Sequence, residues 1–104
     1  MSRLAKLAKL HASDPEDTDI LYMLAQEHAS AGDHAAAIAW YDRCLARDPL
    51  YLYAYFHKAR SLEAMERSAD AAQVLRTGLE HARRKGDAKA VSELAAYLDQ
   101  LPGD

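Results

Sequence analysis

The chain has 104 residues, enough for one domain of two or three helical hairpins and too few for a second domain. Twenty-two alanines stand against six Val, Ile and Thr together, a balance that argues for an all-helical chain. The net charge of −3 comes from 13 basic and 16 acidic residues mixed along the chain, which argues against a nucleic-acid partner, and a single cysteine excludes an internal disulfide framework.

The first predicted helix covers residues 2–12. Leu4, Leu7, Ala8 and Leu10 give it an apolar face, and Arg3, Lys6 and Lys9 a basic stripe. Asp14-Pro15 ends it, because the residue before a proline is pushed out of the helical region. The second helix covers 18–30. Acidic residues crowd its start, where they oppose the helix dipole, and Leu21, Leu24, Ala25 and His28 share one face. Gly32-Asp33 supplies a turn, with Asp33 placed to cap the third helix, 34–47, whose inner face carries Ala37, Ile38, Tyr41, Cys44 and Leu45.

Asp48-Pro49 stops that helix and repeats Asp14-Pro15 at an interval of about 34 residues, a spacing that marks helical-hairpin repeats. The fourth helix covers 51–65. Its start, Leu50 to Phe56, is strand-like in composition, but the period overrides this: Tyr55 and Leu62 follow Leu21 and His28 by the same interval. A polar turn, Glu66-Arg67-Ser68, leads to the fifth helix, 69–85. Arg83, Arg84 and Lys85 favour its C-terminal end, and Gly86 is placed to terminate it. The sixth helix, 87–101, carries a narrow apolar stripe of Val91, Leu94, Ala95, Leu98 and Leu101, and Pro102-Gly103 closes it.

These residues resemble the tetratricopeptide repeat, a helix–turn–helix unit of about 34 residues that stacks into a right-handed superhelix. The resemblance rests on Leu21, Leu24, Ala25, His28, Gly32-Asp33, Ala37, Tyr41, Cys44 and Pro49. It implies a single all-α domain over 1–104, built of antiparallel hairpins stacked as a short solenoid of about six helices. Residues 1–13 would be a partial repeat or an N-terminal helix, 18–51 a full repeat, 52–85 a degenerate one and 87–101 a C-terminal cap. In the degenerate unit Lys58 stands where leucine is usual, and Arg83 where the closing proline is usual.

The resemblance also implies a concave groove lined by the first helix of each repeat. Its residues would be Asp19, Tyr22, Met23, Gln26 and Ser30, then Tyr53, Phe56, His57, Arg60 and Glu63. Family members that bind chaperone C-termini hold the terminal carboxylate with lysine, asparagine and arginine. The corresponding positions here carry Tyr22, Gln26, Tyr53 and His57, so no such clamp is expected. Tyr22, Met23, Tyr53 and Phe56 either form an interface or pack against neighbouring helices. Arg60 and His57 either fix a carboxylate or carbonyl of a bound peptide or are simply solvated.

The expected function is a protein-interaction module that binds a peptide or protein segment through Tyr22, Met23, Gln26, Tyr53, Phe56, His57 and Arg60. The alternative is a homodimer that buries this groove against its own copy. No nucleophile motif, phosphate loop or paired carboxylates point to an enzyme, and no cofactor is expected. No two of the five histidines stand three or four apart, so no metal site is expected. Cys44 falls at a packing position and reads as a buried, inert thiol. The longest uncharged stretch, 49–57, is too short to span a bilayer, and lysines interrupt the N-terminal apolar residues, so no secretory signal is read and a cytoplasmic location is expected.

Overall fold

Each helix begins and ends for a local reason. The computed structural model describes residues 2–102; Gly103, half of the expected terminating pair, lies outside the described residues. The side chain of Ser2 accepts from the Ala5 amide and opens α1, Arg3–Ser13. Asp17, Asp33 and Asp87 do the same for α2 (Thr18–Ser30), α3 (His34–Arg47) and α6 (Ala88–Gln100). The other two helices, α4 (Leu52–Ala64) and α5 (Ser68–Lys85), begin without a side-chain cap. Tyr51 is the N-cap of α4 rather than its first residue, because its backbone still belongs to the turn after Pro49.

The turns repeat as the sequence does. The amide of Asp33 reaches the carbonyl of His28, and one repeat later the amide of Arg67 reaches that of Leu62. Gly32 takes the left-handed conformation between them at φ 82°, and Glu66 occupies the same place at φ 60°. Asp87 repeats the pattern onto Ala82 through Gly86 at φ 75°. At the other ends, Asp14 and Asp48 close α1 and α3 with identical bonds, to the carbonyls of Leu10 and Cys44. The absence of proline at Arg83 lets α5 run for 18 residues, against 14 in α3.

Consecutive helices pack as antiparallel neighbours. In addition, α2 touches α4 and α4 touches α6, whereas α3 and α5 do not meet. The odd-numbered helices therefore splay apart while α2, α4 and α6 lie side by side, and the solenoid is concave on the face those three present. The core follows the hairpins: Leu21, Ala25, Ala37, Tyr41 and Cys44 fill the first, and Leu52, Tyr55, Leu62, Leu75 and Leu94 the second and its junction with α6. Lys58 pairs with Asp42 of α3, which gives its ammonium a partner at a position usually apolar.

Two expectations change. On α1 only Leu7 is buried; Leu4 and Leu10 are 37% and 51% exposed. The helix rests mainly on α2, with Trp40 of α3 reaching its edge, so one narrow stripe suffices. On α6 the buried stripe is Ala90, Leu94, Tyr97 and Leu101, while Val91, Ala95 and Leu98 are only partly covered.

Candidate functional site

The concave layer carries a run of aromatic rings. Tyr22 projects from α2 because it lies about a third of a turn from the buried Leu21, on the side facing α4. Its ring stands 4.9 Å from Tyr51, 6.0 Å from Tyr41 and 5.8 Å from His57. His57 in turn meets Phe56 edge-on at 5.3 Å, and Phe56 meets Tyr97 of α6 at 5.0 Å. The run thus crosses all three inner helices. Separations and tilts of this kind suit the ring quadrupoles, so the rings hold one another in place.

Hydrogen bonds at the rim fix the phenols. Gln26 donates to the Tyr22 oxygen at 3.1 Å. Tyr51 donates to Asp19 and Tyr97 to Glu63, both at 2.7 Å. Burial raises the pKa of Tyr22 and Tyr41; for Tyr51 and Tyr97 burial is joined by the carboxylate that each one bonds. All four phenols are neutral at physiological pH. Burial lowers the His57 pKa, and the Arg60 guanidinium lowers it further, so its imidazole is neutral as well.

Most of the expected groove residues come together. Tyr22, Gln26, Phe56 and His57 share the concave face half-buried, with Arg60 exposed beside them. Tyr53, also half-buried, stands toward α6; burial raises its phenol pKa and the nearby Glu93 carboxylate adds to the shift. Met23 does not join them. It is one position further round the helix and packs with Leu7, Ile20 and Leu24 beneath α1.

Two hollows flank the run, and Arg60 borders both. One, of about 330 Å³, opens between α2, α3 and α4 and is walled by Gln26, Ser30, His34, His57, Arg60 and Ser61 among others. The other, of about 480 Å³, lies between α4 and α6 against Phe56, Glu63, Glu93 and Tyr97. In the first, the Nδ1 of His34 lies 3.1 Å from the hydroxyl of the buried Ser61. His34, Ser61, Tyr51 and Tyr97 were not among the residues expected at the groove. Tyr97 was findable, since 90, 94, 97 and 101 form a regular helical stripe.

Other chemistry-bearing groups are occupied structurally. Burial pushes the Cys44 thiol up to about 12, with Asp48 and Asp19 adding to the shift, so it stays protonated beside the Thr18 carbonyl. Trp40 lies at the junction of α1, α2 and α3. His11 meets it edge-on at 5.1 Å, His28 stacks at 6.4 Å, and the Arg43 guanidinium sits 4.5 Å over its ring. Among the described residues, no group of three or more His, Cys, Asp and Glu is placed to hold a metal, and no helix is long and apolar enough to cross a membrane.

Comparison with known proteins agrees with this architecture. The family described as anaphase-promoting complex, cyclosome, subunit 3 matches residues 4–78. A tetratricopeptide repeat domain protein of Salinibacter ruber is 35% identical in its solution structure, with a TM-score of 0.76, over 82% of this chain and 86% of that one. A Bordetella parapertussis protein shares the fold at 24% identity and a TM-score of 0.84, over 96% and 87% of the two chains. The type III secretion translocator chaperone SycD of Yersinia enterocolitica does so at 20% identity and a TM-score of 0.83, over 92% and 67%. No curated protein is significantly similar to the chain. The recurring turn pattern, the stacked hairpins, the family match over most of the sequence and the Salinibacter relative together show that the chain belongs to the tetratricopeptide-repeat family.

Proposed function

We propose that this protein is an interaction module whose concave face binds an extended or helical segment of a protein partner. Stacked helical repeats are built for this use: they present a continuous curved surface and no enclosed chamber for chemistry. The observation that carries the reading is the aromatic run from Tyr51 through Tyr22, His57 and Phe56, all half-buried, to the buried Tyr97, bordered by two hollows. Rigid rings cost little side-chain entropy to bury, so they make efficient contacts. Gln26 and Arg60 supply polar contacts at the edge, and Tyr53 extends the surface toward α6. Met23, held under α1, takes no part.

The test begins with peptides selected by display against the wild-type domain. Binding of the best peptide is then compared between wild type, Phe56→Ala and Arg76→Ala, the last an exposed position on α5. Phe56→Ala should weaken binding roughly thirtyfold or more, the effect of an aromatic anchor worth about 2 kcal/mol. Arg76→Ala should leave it unchanged. Helical circular dichroism at the assay temperature must match wild type for both. Selected peptides indifferent to Phe56 would overturn the proposal.

A further inference from the structure

The hollow between α2, α3 and α4 is unusual in a chain with three more acidic than basic residues: none of its lining residues is a carboxylate. Its walls present donors. Arg60 is exposed and, among the described residues, has no carboxylate within ion-pair distance, unlike Arg3, Arg47, Arg67 and Arg84. Gln26 uses one amide hydrogen on Tyr22 and keeps a second. His57 stands beside Arg60 with one N–H available. The hydroxyl of Ser61, on the floor, is already engaged with His34.

We infer that this hollow is a subsite for the side-chain carboxylate of an internal Asp or Glu in the bound segment. An exposed guanidinium at the edge of the hollow, with neutral donors beside it, offers a carboxylate charge-assisted hydrogen bonds. A carboxylate there also gives the Arg60 guanidinium an ion-pair partner. The internal position follows from the aromatic run. Arg60 borders both hollows, with Gln26 and Ser30 in the one toward α2 and Phe56 and Tyr97 in the one toward α6. A segment laid along the run therefore continues past Arg60 in both directions and presents a side chain there, not a chain end.

Binding should be linked to protons. The groups around His57 are Tyr22 and Gln26 on α2, His34 and Tyr41 on α3, Phe56, Arg60 and Glu63 on α4, and beyond Phe56 Tyr97 and Glu93 on α6. Arg60 opposes charging of His57 in the free protein. A carboxylate in the hollow offsets that repulsion and raises the His57 pKa. The complex then holds more proton than the free protein between the two pKa values, and affinity grows as pH falls through that window.

The inference rests on the concave face being the peptide surface, but its test is separate. The probes are N-acetyl-glutamate N′-methylamide, its glutamine counterpart, and N-acetyl-alanine as a chain-end carboxylate, each at millimolar concentration with isotope-labelled protein. Side-chain resonances of Arg60, Gln26 and His57 are followed by NMR from mildly acidic to neutral pH. The glutamate probe should shift all three and move the His57 titration upward, and the glutamine probe should do neither. Arg60→Gln should weaken the response roughly tenfold or more, as expected for a lost hydrogen bond to a charged group. Equal responses to glutamate and glutamine, a response that survives Arg60→Gln, or a stronger response to N-acetyl-alanine would overturn the inference. Any of these would leave the aromatic surface to be judged by Phe56→Ala alone.

Discussion

Gly78 tests the packing that shapes the concave face. It sits in the middle of α5, where glycine weakens a helix by about 0.5–1 kcal/mol relative to alanine. Propensity alone therefore says that Gly78→Ala stabilises. The structure says the reverse. A Cβ built at Gly78 would lie 2.6 Å from Cβ and 2.7 Å from Cγ of Tyr55. Tyr55 has nowhere to withdraw: it is 6% exposed, its hydroxyl donates to the Pro49 carbonyl at 2.7 Å, and its ring stacks on His81 at 5.7 Å. Either α4 and α5 move apart or the ring leaves its rotamer, at an overpacking cost of about 1–3 kcal/mol. At mid-range the cost exceeds the helical gain by about 1 kcal/mol, and in a domain of this size each kcal/mol lowers the Tm by roughly 4–8 °C. Thermal and urea melts followed by circular dichroism read the difference. An unchanged or raised Tm would refute the argument.

The equivalent positions one repeat earlier hold Leu21 and Cys44 in one core cluster, so the close approach at Gly78 belongs to the second hairpin. Leucine keeps the Cβ and Cγ that the new methyl would meet, so Gly78→Ala should remain destabilising in a Tyr55→Leu background, with a coupling in the double-mutant cycle below about 0.5 kcal/mol.

Two further predictions concern the turns and the first helix. Glu66 holds the left-handed conformation that Gly32 holds in the preceding repeat, at a steric cost of about 1–2 kcal/mol. Glu66→Gly should stabilise the domain modestly in the same melts, and a clear loss of stability would show that the Glu66 side chain compensates its own backbone. Leu7 is the one buried residue of α1, so Leu7→Ala should loosen that helix by about 2–4 kcal/mol. The effect should stay local: Trp40 emission shifts to the red and becomes easier to quench while the main melting transition stays in place. A domain that melts earlier as one unit, with Trp40 unchanged before the transition, would contradict it.

The sequence was a good guide wherever the information was local or periodic. The prolines after Asp14 and Asp48, the Asp33 cap, and the glycines at 32 and 86 each set a boundary by their own backbone chemistry. The repeat period overrode the strand-like composition of 50–56, and the segment is helical from Leu52. Information that depends on which helix lies opposite was harder to read. Met23 and Tyr22 are adjacent and both large; only the position of α1 decides that one is packed and the other open. His34 and Ser61 belong to different helices, as do Tyr97 and Glu63, so neither pairing shows in its own helix. The apolar face read on α1 was too wide for the same reason, since a helix at the end of the stack buries one stripe, here against α2 and the edge of Trp40.

The most direct test of the account is to map where a display-selected peptide binds, using amide and aromatic chemical shifts of the labelled domain. The account predicts that the changes concentrate on Tyr22, Gln26, Tyr53, Phe56, His57 and Arg60 along α2 and α4, and reach Tyr97 on α6. Changes confined to the outer helices α3 and α5, or to the exposed Leu4 and Leu10 of α1, would place the interaction surface elsewhere and contradict it.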